Sequence, residues 1–381
     1  MNAFEFYKKS LQNTLGTDTQ MSFFWKGRVA LYAILKALDI GPGDEVVLPG
    51  YTCIVVPNAI LYTGAKPVYC DIDPATFNAD TASIVASITP NTKAIIIQNT
   101  YGLSSDVKEI VATARARGII TIEDCTHGFG ATTDGQPNGT VADVSFFSTQ
   151  WNKPFSTGIG GFSVTQDPVL ADKIQGQWDQ CVSPSFKESL MLRLLVFVRK
   201  WMVCDWNYWP MVRFYRLLSY SNIVLGSSQS SELEGITMPF GFMKKLSKAQ
   251  AKQGVSSCEP IHKIIEKRRL VAKTYTDFLK SKSKNHVAQE LHTEHGFLKY
   301  PLLVSNRESF MKAAASAKVR LGEWFLSPLH PIEGDLGKWG FDTQKCPNSV
   351  RAAKHMVNLP TDTAKVDRVL QFLEAQIDDI L

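Results

Sequence analysis

Two polar segments, each following an apolar run, hold the residues best suited to chemistry. The first is Ile122-Glu123-Asp124-Cys125-Thr126-His127-Gly128-Phe129-Gly130-Ala131, and the second runs from Phe147-Ser148 through Trp151-Asn152-Lys153 to Gly158-Ile159-Gly160-Gly161. Asp124 closes one β-branched run, and Lys153 follows 29 residues later. A carboxylate and a lysine at two strand ends suit pyridoxal phosphate (PLP) chemistry. There a lysine amine forms a Schiff base with the cofactor and an acid partners the pyridinium nitrogen. The phosphate needs backbone N–H groups at a helix start, with hydroxyls beside them. Gly27-Arg28-Val29 and Ser148 offer both. Each residue also has a plainer reading. An Asp at a strand end caps a helix, and a lone Lys is a solvated surface charge.

Sites in α/β folds lie beyond the C-terminal ends of strands, so the surrounding elements matter. Residues 29–38 read as a helix with Leu31, Leu35 and Leu38 on one face. Gly41-Pro42-Gly43-Asp44 breaks it before a strand over 45–48, and 58–62 form part of a second helix. Further apolar runs cover 67–70, 94–98, 119–122, 144–147 and 161–164, with a helix over 106–117 stopped by Gly118. Continuous rather than alternating apolar runs predict strands buried on both faces, hence a mainly parallel sheet. Helical periodicity returns over 245–280, followed by a strand over 296–304 and a helix over 364–381. The expected architecture is α/β: a large domain over 1–245 and a smaller C-terminal α/β domain over 246–381. Residues 176–235 stand apart as an aromatic and basic insertion ending in a Ser-rich stretch.

Composition narrows the classes. At 381 residues, 44% apolar and 20% charged, the chain is globular and long enough for two packed units. Its net charge of +5 is too small and too dispersed to argue for nucleic acid. Seven scattered cysteines without a C-x-x-C pair form neither a disulfide framework nor a metal site, which points to a reducing compartment. Without a cationic start leading into an apolar run, no signal peptide is expected, and no 18-residue apolar run spans a bilayer. A cytoplasmic protein is expected, with peripheral membrane contact as the alternative. The chain has no P-loop, H-E-x-x-H or G-x-S-x-G, and Gly128-Phe129-Gly130 lacks the rest of a dinucleotide fingerprint. Asn138-Gly139-Thr140 reads as a turn.

The order of the segments resembles the DegT/StrS family of PLP-dependent sugar aminotransferases, of fold type I. GPGDEVVLPGYT, DIDPATFNAD and QNTYGLSSD look like its first loop, acidic turn and strand-end segment. IEDCTHGFGA is similar to its E-D-x-x-[HQ]-x-x-G-A, and FSTQWNKPFSTGIGG to its S-x-x-x-x-K with G-x-G-G. The likeness covers about 27–165 and resumes weakly from 245 onward. It implies that Lys153 holds the cofactor covalently and later shuttles the proton, and that Asp124 keeps the pyridine nitrogen protonated. His127 would meet the ring or its 3-hydroxyl; its plainer role is a histidine satisfied at a helix start. Ser148 and the Gly27, Arg28 and Val29 amides would bind phosphate.

Three departures qualify the likeness. Cys53 stands where the family places an aromatic over the ring, so stacking is either lost or transferred to Tyr51. Met243-Lys244-Lys245 replaces an N-x-R motif through which a neighbouring subunit reaches the site; Lys245 keeps the charge. The insertion matches poorly. Arg28, moreover, replaces a small hydroxyl residue, while residues 322–325 and 328–330 look like the C-terminal turn that faces the site. The implied reaction is amino transfer from an amino acid, L-glutamate in the first instance, to a nucleotide-linked keto sugar, by a homodimer. Lys26, Arg28 and Lys245 would form a basic mouth. Sugar dehydration and a catalytically silent regulatory role are the alternatives, opposed by retention of Lys153 and of Asp124, Ser148 and Lys153 together. Within 187–218, Leu190, Leu194, Phe197, Trp201 and Cys204 follow helical spacing, with Arg193 and Lys200 on another face. Such a helix either packs on protein, in its own domain or a dimer, or lies on an anionic membrane.

Overall fold

The apolar runs of the first half pair into one seven-stranded sheet in the computed structural model, which describes residues 2–203, 207–220, 224–226, 230–290 and 292–381. In chain order the strands are β1 (Gln20–Phe24), β2 (Glu45–Pro49), β3 (Thr52–Cys53), β4 (Lys66–Cys70), β5 (Thr92–Gln98), β6 (Ile120–Asp124), β7 (Thr132–Thr133), β8 (Gln136–Pro137), β9 (Val144–Ser148) and β10 (Gly161–Thr165). The sheet order is β1-β10-β9-β6-β5-β2-β4. From β4 to β9 all neighbours are parallel, while β10 and β1 add antiparallel at one edge. The mainly parallel sheet is therefore as expected.

Burial on both faces explains the continuous runs. Val46, Leu48, Ala94, Ile96 and Ile122 pack with the helix Gly27–Ala37, whereas Val47, Ile95 and Ile97 pack with the helix Val107–Arg115. The strand β1 was not expected: its Gln20-Met21-Ser22 start is mixed, and only Ser22, Phe23 and Phe24 are buried. The periodic stretch over 245–280 splits into helices Lys248–Cys258 and Ile261–Ser281. Pro260 separates them, since it lacks an N–H and disfavours helical backbone just before it.

The C-terminal part builds its own core. Strands β11 (Tyr300–Leu303) and β13 (Met356–Leu359) pair antiparallel, and Tyr275, Phe297, Leu302, Phe310, Val357 and Phe372 pack around them. The strand expected over 296–304 is shorter because Gly296 N–H turns to the Gly102 carbonyl at 2.7 Å. Two features tie this part to the sheet. Tyr51 and Tyr101 belong to the second core, and β12 (Leu329–His330) pairs with β3, setting His330 opposite Cys53.

The insertion is helical. Ser185 and Glu188 form a capping box at the start of the helix Phe186–Trp201. Leu192 is buried against Trp25 and Ile159, while Phe186, Leu190, Leu194, Phe197 and Trp201 face outward. The expected apolar face exists and is uncovered; Cys204 lies outside the described residues.

Candidate functional site

Neighbouring parallel strands β5, β6 and β9 end side by side, and the loops leaving them meet the turn before β12. Asp124, the last residue of β6, is almost wholly buried, and one carboxylate oxygen accepts the Thr126 N–H at 2.9 Å. Burial raises its pKa, and hydrogen bonds from Thr126 together with the Lys153 charge partly offset that rise. The Thr126 contact is the cap-like role expected of such an Asp; the Lys153 charge beside it is what a mere cap would not need.

Lys153 Nζ sits 5.0 Å from the centre of the Trp324 indole. Burial lowers its pKa to about 8; the Cys53 sulfur and Asp124 oppose that fall, and Arg28 adds to it. About a tenth of the amine is thus unprotonated at neutral pH, far more than for an ordinary lysine. His127 stacks on the other partner of this arrangement, Trp324, with centroids 4.8 Å apart and planes 19° apart. Its Nδ1 accepts the Tyr101 N–H at 3.2 Å, which leaves the hydrogen on Nε2. Burial, then Lys153, His330 and Lys299, hold its pKa well below the usual histidine value, so the ring is neutral.

Three non-glycine residues with positive φ adjoin these groups: Tyr101 (59°), Asn152 (66°) and Phe325 (60°). Left-handed backbone costs energy at such residues, and its concentration beside His127, Lys153 and Trp324 is typical of functional loops.

The phosphate end lies at the start of the helix Gly27–Ala37. Its N-cap, Lys26, makes no side-chain cap, so the first N–H groups have no side-chain acceptor of that kind. A Cβ at Gly27 would stand 2.9 Å from the Phe147 carbonyl and 3.1 Å from Ser148 Cβ, and one at Gly161 would run into the Gly27 backbone. Only glycines let the helix start approach β9 and β10 this closely. Ser148 Oγ accepts the Gln150 N–H at 3.4 Å, and Val29 N–H donates to the Lys26 carbonyl at 3.1 Å.

Arg28 points its guanidinium at Glu232, with Nη1 2.7 Å from the carboxylate; Lys26 approaches the same carboxylate at 3.7 Å. Burial, and then Arg28, lower the Lys26 pKa to about 8. Glu232 comes from the insertion, and Asn58 Nδ2 donates to its carbonyl at 2.7 Å. Nothing in the Ser-rich stretch around Glu232 flagged this contact.

The structure thus brings Asp124, His127, Lys153 and Cys53 together, with Gly27, Arg28, Val29 and Ser148 at one end. Lys245 does not join them within this chain: its Nζ lies 3.7 Å from the centre of the Trp178 ring, and its N–H donates to the Val182 carbonyl. Tyr51 is fully buried, stacked on Phe325 at 4.8 Å and hydrogen-bonded to the Tyr101 hydroxyl, so it does not replace the missing aromatic. Trp324 is the aromatic over Lys153. The turn holding it was legible as one that faces the site, but Trp324 itself was not.

Comparison with known proteins places this geometry. The chain matches the DegT/DnrJ/EryC1/StrS aminotransferase family over residues 7–374. It is similar to Protein MosB of Rhizobium meliloti (42% identity over 175 residues, 46% of this chain and 34% of that protein). It is also similar to the GDP-perosamine synthase of Caulobacter vibrioides (42% over 159 residues, 42% of this chain and 43% of that protein). The matched part spans less than half the length of these relatives. Among solved structures, the aminotransferase TlmJ of Streptoalloteichus hindustanus superposes with a TM-score of 0.76 at 21% identity, covering 99% of this chain and 91% of that one. NtdA of Bacillus subtilis, solved with its cofactor PMP, gives 0.73 at 22% identity, covering 100% and 78%. The chain belongs to the DegT/DnrJ/EryC1/StrS aminotransferase family.

Proposed function

We propose that this member of the DegT/DnrJ/EryC1/StrS aminotransferase family uses PLP to move an amino group from an amino acid, L-glutamate, to a nucleotide-linked keto sugar. The observation that carries the reading is the Lys153 amine, its pKa lowered to about 8, held among Asp124, His127 and Trp324. Relatives named as sugar aminotransferases, such as GDP-perosamine synthase and UDP-N-acetyl-3-dehydro-alpha-D-glucosamine 3-aminotranferase, support the substrate class.

The residues present fit PLP. A helix start without a side-chain cap, beside Ser148, suits its phosphate, and a buried carboxylate suits its ring nitrogen. When bound, PLP supplies an electron sink for the carbanion formed at the amino carbon. Lys153, its pKa lowered to about 8, would hold the cofactor through its amine and, once released, move the proton at the substrate's amino carbon. Asp124 keeps the ring nitrogen protonated, and its own cost of burial as an anion is met by that charge. Neutral His127, its hydrogen on Nε2, would supply a donor to the bound cofactor. Trp324 covers the Lys153 side and excludes water there.

Three further parts belong to this proposal. The enzyme works as a homodimer in which Lys245 serves the neighbouring site, because in its own chain it rests on Trp178. The division into 1–245 and 246–381 is proposed as well, supported by a second core built mostly from C-terminal residues, which Tyr51 and Tyr101 of the first part join. The outward face of the helix Phe186–Trp201 meets an anionic membrane surface, supported by its exposed Phe, Leu and Trp side chains beside Arg193. No helix among the described residues is long and apolar enough to cross a membrane.

The test is chemical trapping. Borohydride reduction of the PLP-loaded protein followed by peptide mapping should place the pyridoxyl group on Lys153. A label on Lys26 or Lys245, or on no lysine, ends the reading. Cofactor attachment needs the unprotonated amine, so its rate should rise with pH and level off above about 8, well below the ordinary lysine value.

A further inference from the structure

Lys153 sits near the tip of a loop whose base is fixed by its own backbone. Thr149 N–H donates to the Gly160 carbonyl at 2.9 Å, Thr157 N–H to the Thr149 carbonyl at 2.9 Å, and Trp151 N–H to the Gly158 carbonyl at 3.0 Å. Beyond those rungs, side chains on either side of Lys153 tie the tip down. Phe155 enters the core, its ring centre 4.9 Å from that of Phe129. Asn152 is tied instead to the insertion: its Oδ1 accepts from Arg199 Nη2 at 2.6 Å.

Arg199 reaches this loop on a helix face that already packs there. Leu192, Val196 and Arg199, spaced by four and then three residues, share one side of the helix Phe186–Trp201. A Cβ at Gly158 would stand 2.7 Å from Leu192 and 3.1 Å from Val196, and Gly158 has a φ of 91°. Only glycine lets the loop meet the helix so closely. Leu192 packs on Ile159 as well, and Trp151 joins that cluster. The Arg199 guanidinium carbon lies 5.3 Å from the centre of the Trp151 ring, so one side chain grips the two residues before Lys153. Asn152 suits this contact. Its φ of 66° is left-handed, which Asn tolerates better than most residues with a side chain, and unlike Gly it offers an acceptor. The outward row of the same helix, Leu190, Leu194 and Phe197, lies on the opposite side.

We propose that Arg199 is a positioning residue, which holds Trp151 and Asn152 so that the Lys153 amine stays beside Trp324 and Asp124. It acts through the turn and not on the reacting atoms. The inference rests on the role proposed above for Lys153 and gives the insertion a part in the reaction. A contact at the surface adds little to the fold, yet it fixes the aim of a reactive group, where a small misplacement is costly.

The test reads the Lys153 amine in the cofactor-free protein, by competitive acylation with acetic anhydride across a pH series and peptide mapping. In the wild type the reactive fraction should be half-maximal near pH 8, because burial disfavours the ammonium. Arg199→Met keeps an unbranched stem and loses the guanidinium. The loosened turn lets the amine reach water, so the midpoint should climb to about 9 or above, toward the ordinary lysine value. Asn152→Gly keeps the left-handed backbone, removes the acceptor and leaves the Arg199 charge in place. It should move the midpoint in the same direction, and the double variant should move it no further than the larger single change. Cys53, Asp124 and Arg28, which also act on the amine, are the same in all three. Pyridoxyl attachment to Lys153 at pH 7 should slow by about 10-fold in each, in step with the unprotonated fraction. Unchanged acylation profiles, a shift in only one of the single variants, or shifts that add in the double variant overturn the proposal. Failure of pyridoxyl labelling in the wild type would count against the proposed function alone, since the acylation profile needs no cofactor.

Discussion

The loops after β6 and β9 and the helix Phe186–Trp201 are both mixtures of aromatic and charged residues, and the fold treats them in opposite ways. At the strand ends the ionisable groups are buried or half-buried and displaced from their usual pKa values, as with Asp124 and Lys153. On the helix the large apolar side chains are outside: Phe186 is 82% exposed, Trp201 69% and Leu194 56%. Position in the topology makes the difference. A residue at the C-terminal end of a central parallel strand has neighbours on both sides and a helix start above it, whatever its polarity. A helix lying outside the sheet covers only one face, here through Leu192, and leaves the other to a partner. Changes in the first region should therefore act on turnover, and changes on the outward face of the second on association.

The largest expected effect is at Lys153. Lys153→Ala should abolish measurable turnover while urea unfolding stays within about 0.5 kcal/mol, since a loop lysine adds little to the core. Asp124→Asn keeps the shape and loses the charge, and kcat should fall by at least ~10²-fold, as for removal of a preorganised electrostatic partner. A near wild-type rate for Asp124→Asn would reduce the residue to the acceptor of Thr126 N–H and break the contrast.

Stability sharpens the same comparison. Leu31, in the helix Gly27–Ala37, and Leu190, in the helix Phe186–Trp201, are both leucines in apolar helices. Leu31 is 1% exposed and Leu190 54%. Leu31→Ala should cost about 2–5 kcal/mol through lost burial and a residual cavity. Leu190→Ala should change unfolding by no more than about 0.5 kcal/mol in dilute protein. Equal costs in denaturant titration would mean that the outward face is covered in the folded protein, by a second copy of the chain.

The sheet was legible because buried parallel strands leave continuous apolar runs, and six of its seven strands follow from them. The edge strand β1 left no such trace: it pairs antiparallel with β10 and is buried only over its second half. At the site, Asp124, His127, Lys153 and Ser148 were legible because they sit next to those runs in sequence. The turn that carries Trp324 and His330 was legible by its resemblance, but which of its side chains reaches Lys153 was not. Lys299 in the C-terminal half and Glu232 in the insertion left no signal: they meet the strand-end residues through tertiary packing, which no local pattern encodes. The break at Pro260 is carried by a single residue, and the helical periodicity on either side masks it.

The smallest and most conditional effect concerns the outward helix face. Residues 186–220 contain six Lys or Arg against two Asp or Glu, a local excess of +4, so the net charge is less dispersed than the whole-chain balance of +5 suggests. The buried centre of a protein interface is depleted of charge, whereas a membrane-surface helix sets basic residues beside its apolar stripe. The exposed Arg193 flanks the outward row of Leu190, Leu194 and Phe197 rather than lying in it, an arrangement that favours lipid. Purified protein should float with anionic liposomes at low salt and several-fold less at high salt, because the ionic part of the attraction is screened. Leu194→Glu puts a carboxylate into the apolar row and opposes anionic headgroups as well. It should abolish flotation while sedimentation shows an intact dimer and glutamate-dependent turnover persists. Conversion to monomers by Leu194→Glu, or no flotation of the wild type at low salt, would assign this face to the subunit contact instead.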